Sequence, residues 1–323
     1  ILVSHVHLMR DKDAGAGLAR KMVMDQALSR FNRLDRPGGI ILSLDADTIC
    51  DENYLTEVER QFRNKPDTKA FNIRFEHPLE GESFPESVYN GIIQYELHLR
   101  YYIQALRYAG HPHAFPTVGS AFGVRADIYA AQGGMNKRKA GEDFYFLQKI
   151  IPLGGFYEVN STRVIPSPRP SDRVGFGTGP VISRFQRGET TELPTYHPGV
   201  FLELKEFLPI VPSLFTASQA SLEQVLGNFP TTLREYLRQE FFASILEIQG
   251  NAARESTFIN RFYRWFNMFR TLKYINFAHQ HHYSRIPVLE AAREFLHENF
   301  PGFKRDDNAK ELLLFLREIQ KGL

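Results

Sequence analysis

The chain has 323 residues, 43% of them hydrophobic and 24% charged, enough to bury one large core or two smaller ones. A formal net charge of +2 excludes a long nucleic-acid footprint, so any basic surface is local. One cysteine, Cys50, excludes an intrachain disulfide framework and a cysteine-based zinc site. No apolar run reaches the roughly 18 residues that a membrane span needs, and no signal-peptide pattern opens the chain, so the expectation is a cytoplasmic protein without a transmembrane segment.

Residues 1–9 alternate like a β-strand, with no initiator Met and no polar lead-in, so the chain is expected to start inside a domain. Gly15-Ala16-Gly17 then turns into a helix from Leu18 to about Phe31, with Leu18, Met22, Ala27 and Leu28 at near-helical spacing. Pro37-Gly38-Gly39 breaks the chain, and Ile40 to Leu44 is a short apolar run of the type buried on both faces of a parallel sheet. Helices are expected at about 51–64 and 85–109, with a strand at 69–75 between them. Strands at Ala121–Val124 and Phe156–Val159 flank a helix that starts near Glu142. This rhythm predicts a parallel or mixed sheet with helices on both faces.

From Arg163 to Pro198 the composition shifts to Pro, Gly, Ser, Thr and Arg, as in a linker or a functional loop. Beyond it the pattern is helical, with candidates at Leu233–Ile248, Phe258–Phe277, Val288–Leu296 and Ala309–Ile319. The expected organisation is therefore an α/β domain over residues 1–198 and a helical region over 199–323.

Two carboxylate motifs carry chemistry. The strand at Ile40 ends in Asp45-Ala46-Asp47, where ligands of open α/β sheets bind. Two acids so close repel unless a cation compensates, and Mg²⁺ prefers one or two carboxylates plus substrate phosphate oxygens. Exposed acids capping the next helix are the alternative. Downstream, Gly141-Glu142-Asp143 opens a helix, where the N-terminal dipole favours negative charge. It reads either as a stable helix start or as a general base for an attacking hydroxyl.

Arg20-Lys21 after Gly15-Ala16-Gly17, then Leu44-Asp45-Ala46-Asp47, Gly119-Ser120-Ala121-Phe122 and Gly141-Glu142-Asp143, in that order, resemble the family 2 glycosyltransferases of the GT-A fold over roughly residues 1–180. The resemblance implies a Rossmann-like mixed sheet whose first two strands would precede this chain. It implies metal-dependent, inverting transfer of a sugar from a nucleotide-diphosphate sugar to a saccharide or other hydroxyl acceptor. Asp47 would ligate Mg²⁺ or Mn²⁺, and Asp45 would reach the donor ribose or the metal shell. Arg20 would contact the nucleotide, with Lys21 where the family has Asn. Asp143 would be the base, Glu142 would bind the acceptor, and Gly119 and Ser120 would line the sugar pocket.

Arg169 and Arg173 lie where the family has a mobile loop over the donor, and guanidinium groups suit a diphosphate. His197 and the pair His279 and His282 are candidate metal ligands, read against ordinary surface histidines. Trp265, Phe262, Phe266 and Phe269 have the spacing of a buried helix face. The helical region is also a candidate surface for homo-oligomerisation. Two other readings fit the same residues: a degenerate glycosyltransferase acting as a scaffold, and a haloacid-dehalogenase-type phosphatase, whose first motif the segment Ile40–Asp47 also resembles.

Overall fold

The computed structural model describes residues 15–300 and 308–322; the expected strand at 1–9 lies outside them. The chain is mixed α/β and divides into two compact units. The first comprises the described residues up to Glu96, Phe115–Thr191 and those from Leu313 onward. The second comprises Leu97–Ala114 and Glu192–Leu312.

Among the described residues the first unit holds a five-stranded mixed sheet of β1 (Ile40–Ser43), β2 (Thr48–Cys50), β3 (Ala70–Phe75), β4 (Phe122–Arg125) and β5 (Phe156–Pro166), in the order β1-β4-β3-β5-β2. Only β3 and β5 run parallel; β4 is antiparallel to both β1 and β3, and β2 to β5. The expectation for β1 as a doubly buried parallel strand is therefore corrected. It pairs antiparallel with β4, and its burial alternates, with Ile41 and Ser43 inside and Ile40 and Leu42 half-buried. The strand that is buried at every position is β3.

Successive residues of β3 point to opposite faces. Ala70 joins Met24 of α1 (Ala16–Arg33), Phe122, Tyr129 of α4 (Ala126–Ala131), Phe146 and Ile150 in one cluster, where α5 (Glu142–Ile150) also packs. Phe71 instead meets Phe62 of α2 (Tyr54–Asn64) edge-on, ring centroids 5.7 Å apart. Helices thus cover both faces. Burying a Phe such as Phe146 contributes about 1.5–3 kcal/mol, which fixes α5 and with it the Glu142-Asp143 pair at its start.

The strand expected at Phe156–Val159 continues to Pro166. Its register against β3 breaks between Ile73 and Arg74, so that Val159 and then Arg163 are the paired residues. The intervening Asn160-Ser161-Thr162 is polar, so the apolar pattern stops there while the strand does not. The N-terminal end of α2 satisfies this bulge: Ser161 Oγ donates to Glu57 at 2.6 Å and Thr162 Oγ1 to Asn53 Oδ1 at 2.8 Å. Beyond it, β5 pairs with β2 and delivers Ser167 to the backbone of Asp47. Much of the stretch read as loop is ordered, since Arg163–Pro166 is strand and α6 covers Thr178–Gln186.

A buried ion cluster ties the last helix to this unit. Glu96, on α3 (Glu86–Tyr108), is fully buried and takes two hydrogen bonds from Arg317, Nε to Oε1 at 2.8 Å and Nη2 to Oε2 at 2.7 Å. His77 N–H and Arg317 close the ring, the first donating to Glu96 and the second to the His77 carbonyl.

The second unit is helical: α7 (Pro198–Phe207), α8 (Gln219–Asn228), α9 (Thr231–Leu237), α10 (Phe241–Gly250), α11 (Glu255–Trp265), α12 (Met268–His281) and α13 (Val288–Asn299), with one short ribbon of β6 (Pro194–Thr195) and β7 (Ile286–Pro287). The helix expected over Leu233–Ile248 is two, broken at Arg238–Glu240. That over Phe258–Phe277 is also two, because Asn267 caps α12, its side chain accepting from Phe269 N and Arg270 N. Phe207, Phe229, Phe262 and Phe266 form the aromatic core, as the spacing of Phe262 and Phe266 anticipates. Among the described residues no helix is long and apolar enough to cross a membrane.

Arg317→Met should destabilise the protein by about 3–5 kcal/mol in urea unfolding, because it strands a buried carboxylate. The double variant Glu96→Leu/Arg317→Met should recover most of that loss.

Candidate active site

Close backbone approach sets the entry of α1. A side chain at Gly17 would meet the Arg138 carbonyl at 2.3 Å, and one at Gly15 would meet the Lys139 Cα at 2.8 Å. The Gly17 N–H uses that proximity to donate to the Arg138 carbonyl at 3.1 Å. The glycines therefore bring α1 against the segment that leads into α5, and this carries Arg20 into the site.

The Arg20 guanidinium, only 13% exposed, ties α1 to three other segments. Its Nε donates to Glu142 Oε1 at 2.9 Å and its Nη2 meets Asp45 Oδ1 at 2.6 Å. Its Nη1 donates to Ser43 Oγ at 2.6 Å and to the Gly119 carbonyl at 2.8 Å, while Ser43 Oγ also donates to that carbonyl at 2.7 Å. Burial works against the Arg20 charge, but Asp45 and Glu142 outweigh it and hold its pKa above the ordinary value. Arg20, expected at the nucleotide, is thus used inside the protein. Glu142, expected at the acceptor, is its buried counter-ion.

Asp143 lies beside this hub. A side chain at Gly119 would stand 2.6 Å from Arg20 Nη2 and 3.1 Å from Asp143 Oδ2, so the guanidinium and the carboxylate both close on the space that the glycine leaves open. The Phe144 N–H donates to Asp143 Oδ1 at 2.7 Å. Burial and then the Glu142 charge push the Asp143 carboxyl up to about 6, against the opposing pull of the Phe144 N–H and Arg20. Ser120 is buried next to Gly119.

Asp45-Ala46-Asp47 forms a turn from β1 to β2, closed by Thr48 N–H to the Asp45 carbonyl at 3.0 Å. The acids do not cap a helix there, since strand β2 comes next. Each acid has its own arginine: Asp45 has Arg20, and exposed Asp47 has Arg169, whose Nε and Nη2 reach Oδ2 at 3.2 and 3.0 Å. Arg173 instead donates to Ser171 Oγ at 3.3 Å. Compared with family models, curated proteins and solved structures, the chain gives no match.

Tyr95 and Thr178 belong to the site and carry no motif. The Tyr95 phenol, pushed up to about 12 by burial, hydrogen-bonds Thr178 at the start of α6 and feels the Asp143 charge. Ser43 was also missed, although a serine in an otherwise apolar strand is a legible signal. The histidines do other work. His197 caps α7 by accepting from Gly199 N–H at 3.0 Å, and His279 Nε2 accepts from His197 N–H at 2.9 Å. His282 faces Glu235 instead, at 2.9 Å, so it does not pair with His279.

Among the described residues no group of three or more His, Cys, Asp or Glu side chains could hold a metal ion. A cation shared with substrate phosphates needs fewer protein ligands than that. Arg20 contributes +1 against three carboxylates, Asp45, Glu142 and Asp143, a balance of −2 when all are ionised. Both Arg169 contacts with Asp47 fall on Oδ2.

The raised Asp143 pKa has a stability consequence. Below 3.8 both folded and unfolded carboxyls hold their proton; between 3.8 and about 6 only the folded one does. Stability therefore falls as pH rises through this window, by at most about 3 kcal/mol. Asp143→Asn should leave the melting temperature unchanged near pH 3.5 and raise it near pH 8. Gly119→Ala should destabilise by about 1–3 kcal/mol through overpacking against Arg20, measured by urea unfolding.

Proposed function

We propose that this chain is a metal-dependent, inverting glycosyltransferase of the GT-A, family 2 type, which moves a sugar from a nucleotide-diphosphate donor to an acceptor hydroxyl. The observation that carries this reading is the Arg20 hub. It joins the Asp45 turn, the Gly119 backbone and the Glu142-Asp143 helix start into one cluster. These segments are distant in sequence and are those that the resemblance marks.

Asp143 is the base. A carboxyl at about 6 is ionised at neutral pH yet is a better proton acceptor than an ordinary aspartate, as a general base requires. It takes the acceptor hydroxyl proton as the oxygen attacks the anomeric carbon and the bond to the diphosphate breaks on the opposite face. One displacement suffices, with no covalent intermediate. Arg169 and Arg173 supply cations to the leaving diphosphate. A divalent ion, Mg²⁺ or Mn²⁺, held by Asp47 with Asp45 beside it, would neutralise the charge that develops there. Arg20 and Glu142 are positioning residues, which fix where Asp45 and Asp143 stand.

Isothermal titration of UDP and GDP with and without Mn²⁺ tests the reading. Metal-dependent binding of one nucleotide is expected, weakened at least about tenfold in Asp47→Asn; no such binding overturns it. Asp143→Asn should cut transfer by about 10²–10⁴-fold and leave nucleotide affinity nearly unchanged. Its pH–rate profile in the wild type should fall below about pH 6. Metal-dependent binding with no turnover of any donor would instead identify a scaffold that keeps the fold.

A further inference from the structure

Phe176 is 61% exposed in a segment of polar residues and glycines, Ser171-Asp172-Arg173-Val174-Gly175-Phe176-Gly177. Single exposed aromatics are common on protein surfaces, so the exposure alone decides nothing. Its position is the informative part. The ring sits on Gly141, where an added side chain would stand 3.3 Å from Cζ and 3.4 Å from Cε2. Gly141 directly precedes Glu142 and Asp143. Two residues after Phe176, Thr178 bonds Tyr95, which itself feels the Asp143 charge. Both chain segments therefore bring the ring close to Asp143. Gly177 has φ +102, a conformation that L side chains rarely adopt, and it lets the chain turn between outward Phe176 and inward Thr178.

The loop is tethered on the other side as well. Ser167 N–H and Arg169 bind Asp47, and Ser171 N–H donates to the Gly179 carbonyl at 3.2 Å. It runs from the Asp47 side of the site to the Asp143 side, and Phe176 lies at the Asp143 end. An aromatic face is electron-rich, and the C–H face of a pyranose is its complement. We infer that Phe176 is the stacking platform for the acceptor's saccharide ring, and so a residue that sets acceptor class.

This inference rests on the glycosyl-transfer reading, and its test separates the two. Saturation-transfer NMR with methyl β-glucoside, methyl β-galactoside and methyl α-mannoside, in the presence of UDP and Mn²⁺, reads acceptor binding directly. At least one glycoside should bind the wild type, about tenfold or more weaker to Phe176→Leu and within about threefold of wild type to Phe176→Tyr and Phe176→Trp. Leucine keeps the apolar bulk without a planar face, so equal binding by Phe176→Leu overturns the platform. Failure of all three glycosides to bind the wild type overturns it too. Glycoside binding that depends on the ring, without metal-dependent UDP or GDP binding, would keep the platform and sink the glycosyl-transfer reading.

Discussion

A nearly buried guanidinium is costly unless its donors are used and its charge is matched. Arg20 meets both conditions with four partners from three places in the chain, and each partner is fixed by it in return. Remove that one ion cluster and Glu142 keeps a buried charge without a cation, while the Asp45 turn loses its tie to α1. The sheet and its helices bring these segments near one another. The guanidinium sets their positions to hydrogen-bond precision.

The hub also explains why two adjacent acids at the start of α5 behave differently. Glu142 faces Arg20 directly and is compensated. Asp143 shares with Arg20 the space beside Gly119, and there burial and the Glu142 charge raise its pKa while Arg20 only partly offsets them. One residue of sequence separation thus yields a counter-ion and a poised base. Keeping such a base ionised in the folded protein costs stability near neutral pH, a cost of the kind that active sites tolerate and cores do not.

The sequence made the acids, Arg20 and most strands and helices legible, because each is a local pattern: an apolar run, a pair of acids, a helix start. What it hid is non-local. Tyr95 lies in a long helix whose pattern says only that one face is buried, and nothing local links it to Asp143. The bulge at Asn160–Thr162 masked the second half of β5, since its polar side chains are satisfied by α2 and not by an apolar face. Asn267 split a helix that periodicity alone joined, because a cap competes with continuation. Arg20 was legible as a residue, but its use was not: from sequence a cation upstream of two acid motifs serves a ligand as readily as it serves the protein.

The two arginine–aspartate pairs at the Asp45 turn differ in what they can do. Arg20 is 13% exposed and shares its guanidinium with three other partners, so releasing it from Asp45, itself 44% exposed, would leave a largely buried cation short of a counter-charge. The Arg169–Asp47 pair is about half exposed on the arginine side, and such pairs contribute roughly 0–1 kcal/mol. Solvent already competes for it, so an incoming diphosphate can take Arg169 at little cost while a divalent ion takes Asp47. In the proposed reaction the Arg169–Asp47 pair is therefore the exchangeable one, and Arg20 is the frame against which the exchange occurs. That division follows from the arginines, since the two aspartates are similarly exposed, at 44% and 39%.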